Sequence, residues 1–548
     1  MAPLRVMFNR REILVSFLGL PIAMAACRNT SVPALPAGEI VGASDSFGHR
    51  IRDGIQTQLA GDAWIDMPVV IVGGGVAGLS AARRLHKSNF EDFVVIELEK
   101  APGGTSRSGS TKDISFPWGA HYIPAPMKEN HELVALLDEM GVVEGIDQNG
   151  EPVVREEFLC RDPEERAFYK GRWYEGLYLH AGESAEDKRQ FEKFNSEIAT
   201  WIGWRDGQGR RAFTLPISAC SDDAEVTALD RISMAEWLNQ RNLDSGRLRW
   251  WIDYACRDDY GMRLEQTSAW AGLFYFCSRV AKPNTESQPL ITWPEGNGRL
   301  VQQLFESGGK NVQLNRAAVE IIPVEENSRS RVDVITLDQD GNNPRGFRAQ
   351  KVIFAAPQFV ARYVIRPYRE NPPAHLAEFE FGSWMVANLS LRERPTRTSP
   401  RDFPLAWDNV LYESPSLGYV VATHQRSRDL GPTVFTYYYP MCDENPREGR
   451  TRLLQNDWRN WAEVTLADLS RAHPDIRNLV DRLDVMRWGH AMIRPKTGFM
   501  WGQSRRAGAK PFRSIHFAHS ELSGVALFEE AFDVGLRAAV AVLKELRR

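Results

Sequence analysis

The chain is 548 residues long, 43% hydrophobic and 25% charged, with a formal net charge of −4. That length exceeds a typical single domain and that apolar content can bury a sizeable core, so two domains are expected. Lysine and arginine form no block and no basic domain, which argues against nucleic acid as a partner.

The first residues read as an address. Arg5, Arg10 and Arg11 make a positive start, Ile13 to Ala26 is a 14-residue apolar stretch, and the small residues Ala23, Ala25 and Ala26 precede Cys27. Fourteen residues rise only about 21 Å as a helix, short of a bilayer core of about 30 Å. Residues 1–26 are therefore expected to be a signal peptide. Arg10 and Arg11, followed by Ile13 and Leu14, resemble a twin-arginine signal, the route for proteins exported already folded. Met24 to Cys27 resembles a bacterial lipobox, which implies a lipid on Cys27, membrane attachment and a periplasmic location; cleavage after Ala25 is the alternative. Residues 27–66, rich in Ser, Ala, Pro, Gly and Asp, predict a tether.

Val69 to Val72 are apolar and β-branched, as a strand buried on both faces requires, and Gly73, Gly75 and Gly78 follow in the order G-x-G-x-x-G. Ala77, Leu79, Ala81, Ala82 and Leu85 then mark one stripe of a helix. In such a unit the first glycine makes the tight turn, the second lets a pyrophosphate approach the backbone, and the third lets helix and strand pack closely. The phosphates would lie on the N–H groups of the helix start, which includes Val76 and Ala77. A second apolar run, Phe93 to Ile96, ends in Glu97, placed to accept hydrogen bonds from the ribose hydroxyls of a dinucleotide.

Beyond this unit, 116–126 reads FPWGAHYIPAP, with Trp118, His121 and Tyr122, and His131 to Met140 is amphipathic. ITWPEGNGRLVQQL (291–304), VQLNRAAVEIIPV (312–324) and KVIFAAPQFVARYVI (351–365) come next, in the order in which the superfamily resembled below carries a glycine-containing loop with a helix, a β-meander and a return strand. Thr433 to Tyr439 is strand-like, Trp458 to Leu469 is amphipathic, and 487–501 holds Trp488, His490 and Trp501. The cysteines 160, 220, 256, 277 and 442 show no metal-like spacing, so no metal site is expected.

Gly103 and Gly104, six and seven residues past Glu97, bring the sequence to resemble the superfamily of flavin amine oxidases, protoporphyrinogen oxidases and phytoene desaturases. The resemblance returns at 511–541, where Phe517 and Ala518 match the terminal strand and Glu529, Ala531, Gly535, Ala538 and Ala539 match the terminal helix. It implies FAD as cofactor, with Gly103 and Gly104 against its phosphates and Gly119, Ala120 and Glu529 among the residues around it. It departs from the family at Thr105, where Arg is usual and Arg107 is the substitute, and at His519 and Ser520, where Glu521 would take over the acid's place.

The implied fold is α/β, with a discontinuous Rossmann-like FAD-binding domain (67–125, 290–360, 486–548) and an inserted mixed α+β substrate domain (126–289, 361–485), helical first and mixed later. The implied activity is oxidation of a C–H or C–N bond of a small organic substrate by hydride transfer to flavin N5. His121 and His490 are candidates for taking a substrate proton, with Trp488 beside the flavin. An amine or polyamine competes with an apolar isoprenoid or tetrapyrrole as substrate. Val386 stands where amine oxidases of the superfamily carry a Lys, which lowers the oxygen-using amine oxidase reading and sets a dehydrogenase or desaturase passing electrons to a quinone or protein acceptor at least level with it. A non-catalytic exported flavoprotein, acting as electron carrier or assembly partner, is the reading from a different class.

Overall fold

The computed structural model describes residues 34–42, 44–55, 57, 59, 63–326, 329–397, 399–426, 429–442 and 445–547. The expected signal peptide over 1–26 and Cys27 lie outside the described residues.

The fingerprint strand, Trp64–Val72, pairs in parallel with Phe93–Ile96 on one side and Arg345–Phe354 on the other. Side chains alternate across a strand, so four consecutive β-branched residues fill both faces. Val69 and Ile71 pack with the helices Val76–Lys87 and Phe528–Leu546, and Val70 and Val72 pack with a layer that includes the helix Gln358–Val364. Val312–Gln313 extends the sheet beyond Phe93–Ile96, and Ile515–Phe517 adds in parallel to the end of Arg345–Phe354. The strands Arg316–Glu326, Arg329–Asp338 and Arg345–Phe354 form the antiparallel meander that leads back into the parallel core.

A second sheet has eight strands, from Ile40–Val41 through Val480–Ile493, Phe381–Leu391, Thr433–Pro440, Gly418–Val421, Asp408–Leu411 and Glu165–Tyr169 to Arg172–Glu175. One face packs on the helix Trp458–Ser470 through Met385, Ala387, Phe435 and Tyr437. The other carries Trp384, Val386, Val420 and Tyr438 toward the first sheet's loops. A helical block from Ala185 to Cys277 packs around Trp237, Trp270 and Phe274. The whole is the mixed α/β architecture read from the sequence.

Three features differ from that reading. The expected tether is structured from residue 40: Ile40–Val41 joins the second sheet, and the helix Asp45–Arg52 buries Phe47 against Ala317, Val319 and Leu337 of the meander. The first insert opens with the helix His131–Glu139 as expected but is not wholly helical, because Glu165–Tyr169 and Arg172–Glu175 pair as a hairpin and join Asp408–Leu411 from the second insert. Such pairing depends on partners some 240 residues away, which no local pattern reveals. Finally, Val480–Ile493 is one continuous strand of the second sheet, so the return to the dinucleotide-binding domain comes after Ile493 and not at 486.

Candidate active site

The glycines build a cradle. Gly73 turns with φ 107°, a left-handed conformation that favours glycine, and its N–H donates to Ile96 O at 2.8 Å. A Cβ at Gly78 would strike the Gly73 carbonyl oxygen, so helix and turn approach too closely for any side chain. A Cβ at Gly75 would meet nothing within 4 Å among the described residues. It would project into open space at the start of the helix Val76–Lys87, which no side chain caps, with Ala77 and Gly78 following in its first turn. Gly103 N–H donates to Gly74 O at 2.8 Å, and Gly104 faces Gly75. Glu97 accepts from Gly74 N–H (2.6 Å) on one oxygen and from Glu99 N–H (2.8 Å) on the other. Burial pushes its carboxyl upward against these two donors. The shape suits a dinucleotide's diphosphate, and the carboxylate's remaining lone pairs suit its ribose.

From the cradle the chain leads to a cavity of about 130 Å³ between the two sheets. Thr105, Gly119, Ala120, His121, Trp488 and Glu529 all line it. Tyr438 OH donates to Gly119 O at 2.8 Å and Trp488 Nε1–H to Trp118 O at 2.8 Å, which pins the 116–122 loop to the second sheet. Arg107 runs between cradle and cavity, 3.5 Å from the Glu99 carboxylate and with its guanidinium 5.2 Å from the centre of the Trp488 ring. His121 sits in an aromatic cage, stacked on Tyr438 at 5.0 Å with Tyr122 and Trp407 at its edges.

Other residues expected here lie elsewhere. Between the pairs Trp384–Trp488 and Gly382–Met492 the Val480–Ile493 strand carries two extra residues, and this bulge brings Ala491 and Met492 into the cavity wall. His490 is turned onto Phe359, stacked at 3.9 Å, and is not part of that wall. Burial lowers His121 to about 4 and His490 to about 3, so neither imidazole titrates near neutral pH. Glu521 accepts from Gln358 N–H at 2.5 Å and so holds the start of the helix Gln358–Val364; burial raises it to about 8. Trp501 packs on Trp270 in the helical block.

Of the cavity's charged groups Glu529 was expected, whereas Asp258, Asp259 and Arg279 come from the first insert and sequence reading missed them. Arg279 donates to Asp259 Oδ2 at 2.7 Å and to Tyr122 OH at 3.3 Å. Asp258 lines the cavity beside this pair, raised by burial and by the neighbouring Asp259 charge. Glu529 is 3% exposed, its Oε1 has no hydrogen-bond partner among the described residues, and burial raises it to about 7. Glu165, raised to about 8 by burial and by Glu164 and Asp258, and Asp408, raised by burial and by Glu165 and Asp258, continue the acidic run. Asp258, Asp408 and Glu165 lie deep yet keep part of their surface open, as groups lining a cleft do. The sequence signal was the Asp258–Asp259 doublet in the last turn of the helix Gly246–Tyr260, next to Arg257.

Several similarities bear on this geometry. A family model described as flavin containing amine oxidoreductase matches residues 76–543. Among solved structures, a putrescine oxidase bound to putrescine is 16% identical over 88% of this chain and 100% of that one, with a TM-score of 0.61. A cyclohexylamine oxidase from Brevibacterium oxydans IH-35A is 15% identical with the same two coverages and a TM-score of 0.61. A fatty acid isomerase from P. acnes is 14% identical over 87% of this chain and 98% of that one, with a TM-score of 0.57. At these identities the structures share the fold. No curated protein sequence matches the chain.

Proposed function

The chain belongs to the flavin-containing amine oxidoreductase family and is an FAD-dependent oxidoreductase, and on that premise we propose that it oxidises the C–N bond of a protonated organic amine. The observation that carries this reading is the charge of the cavity, where Asp258, Asp259 and Glu529 face the single guanidinium of Arg279. Buried carboxyls without a matching cation stay protonated, and a cation placed among them restores their ionised form. An ammonium group supplies that cation. An apolar isoprenoid does not, and a tetrapyrrole carrying carboxylates would add to the repulsion.

Gly73, Gly75, Gly103 and Gly104 would hold the diphosphate of FAD, and Trp488 and Tyr438 would border its ring; the bound cofactor would supply the two-electron acceptor for the substrate's C–H bond. The protein's own residues do the rest. Trp488, Tyr438 and the His121 cage hold a flat, water-poor space in which the substrate carbon is oriented. Loss of a proton from the ammonium nitrogen and of a hydride from carbon leaves a protonated imine, which water then hydrolyses to a carbonyl compound and an ammonium ion. Glu529, raised to about 7, suits the nitrogen's proton, whereas neutral His121 at about 4 is too weak a base to carry it. Val386, which lines the cavity, stands where amine oxidases of the superfamily carry a Lys, and this supports a quinone or redox protein as an acceptor alongside oxygen.

The test is anaerobic mixing of the loaded protein with putrescine, cyclohexylamine and a reduced tetrapyrrole, following the flavin's visible absorbance. Bleaching by an amine is expected. Calorimetry in buffers of different ionisation enthalpy should also register proton release on amine binding, since the acids ionise as the cation enters. The pH sign follows: amine affinity rises with pH through about 7, where Glu529 loses its proton. Bleaching by the tetrapyrrole alone would replace the substrate assignment, and a loaded protein that no compound bleaches would point to an electron carrier. For location, Arg10, Arg11 and Cys27 support export and a lipid anchor, which would set the protein beside membrane quinones.

A further inference from the structure

The strands that carry the acidic run toward the cavity carry Arg166 and Asn409 on their other face. Glu165 alternates with Arg166 and Asp408 with Asn409, so a two-residue period sends one of each pair to each side of the sheet. Arg166 is 3% exposed and fully engaged, donating to Asn409 Oδ1 (2.5 Å), Phe403 O (2.9 Å) and Tyr419 OH (3.2 Å), with its guanidinium 3.7 Å from the centre of the Trp173 ring. Behind it opens a second cavity, of about 260 Å³, on the far side of the sheet from the flavin cavity.

Four guanidiniums face this space: Arg161, Arg166, Arg394 and Arg397. Two carboxylates face it as well. Asp429 pairs with Arg161, and Asp402 accepts from the backbone N–H groups of Ser399 (2.9 Å) and Trp173 (3.4 Å). Burial lowers His424 to about 4 and His473 to about 3, so both are neutral near pH 7 and add no charge. Two cations are therefore uncompensated in a chain whose net charge is −4. The charge of Asp402 falls on Arg166 and that of Asp429 on Arg161 and, at longer range, Arg394, so the excess rests on Arg394 and Arg397, which form no ion pair within 4 Å among the described residues. Arg394 donates from Nη2 to Thr423 Oγ1 at 2.8 Å, while its Nη1 is buried without a hydrogen-bond partner among the described residues. A buried charged donor left unpaired is costly, and the group that relieves it is an anion with oxygen acceptors. The remaining walls, from Pro163, Pro395, Leu405 and Val421, are apolar.

We propose that this cavity binds a small organic oxoanion, whose carboxylate or phosphate sits on Arg394 and Arg397 and whose body lies against the proline and leucine walls. The site is one sheet layer away from the amine cavity and shares no side chain with it.

The experiment titrates the FAD-loaded full chain by calorimetry at low ionic strength with inorganic phosphate and, separately, with benzoate, using chloride of matched ionic strength as blank. Saturable binding of at least one is expected, and Arg394→Gln combined with Arg397→Gln should weaken it about tenfold or more. Flavin absorbance and amine-dependent bleaching should stay unchanged in that variant, which separates this site from the catalytic one. Saturation by phosphate assigns a phosphate ester, and saturation by benzoate assigns an organic acid with an apolar body. Should the double variant fold poorly, Arg397→Gln alone, at the exposed rim, carries the same readout. No saturation by either anion, or undiminished binding in the variants, overturns the proposal.

Discussion

Two glycines three residues apart serve opposite purposes, and substitution separates them. Valine at Gly75 projects into open space, so Gly75→Val should fold with an unchanged melting curve when both proteins are stripped of flavin. The side chain then fills the place of the diphosphate, and the purified variant should be colourless. Valine at Gly78 meets the Gly73 carbonyl, so Gly78→Val should lose stability at or above the upper end of the ~1–3 kcal/mol range for overpacking. A yellow Gly75→Val protein would remove the diphosphate from the cradle. Residues of this kind were legible in the sequence because backbone geometry dictates them locally. His121 and Trp488 were legible through neighbouring motif residues, and both line the cavity. Asp258, Arg279 and Glu165 were not, since an acid or a guanidinium acquires its role only when distant elements close around it. His490 shows the converse: its motif spacing was plain, but a bulge set by tertiary pairing turned the ring onto Phe359.

Elements with their own period were the readable ones. The fingerprint strand, its helix and the Phe93–Ile96 strand appear where apolar runs of period 2 and 3.6 placed them. The Ile40–Val41 strand and the Asp45–Arg52 helix escaped because two residues are too short for a pattern and the helix buries only Phe47. Together they form a strap over the domain junction. The strand adds to the second sheet, Ser44 N–H donates to Glu99 Oε1 at 2.7 Å, and the helix docks on the meander. Its apolar attachment rests on one aromatic side chain, so Phe47→Ala should free the helix of the strap, with a loss near the ~3–5 kcal/mol of buried Phe truncations. Limited proteolysis should then cut between residues 44 and 55 while the rest of the chain resists. Equal resistance of variant and parent at those bonds would show that the strap is held by its strand and polar contacts alone.

At the scale of the molecule, the cofactor's place would constrain the route of the export proposed for this chain. The cradle belongs to the first sheet, whereas Trp488 and Tyr438 of the cavity belong to the second. FAD held by both must therefore be captured as the two come together, and a chain threaded through a membrane unfolded would arrive without it. A folded chain can carry it across, which is what the Arg10–Arg11 pair implies for export. Arg10→Lys with Arg11→Lys changes neither charge nor any described residue, so the variant should still fold and load in the cytoplasm. The expected outcome is a yellow, full-length precursor retained inside the cell, with none exported. Gly75→Val tests the other half, because a chain that folds without flavin should still carry the signal and be exported colourless. Normal export of the Arg10→Lys, Arg11→Lys protein would break the link between cofactor capture and the route, and with it the case for an address at the start of this chain.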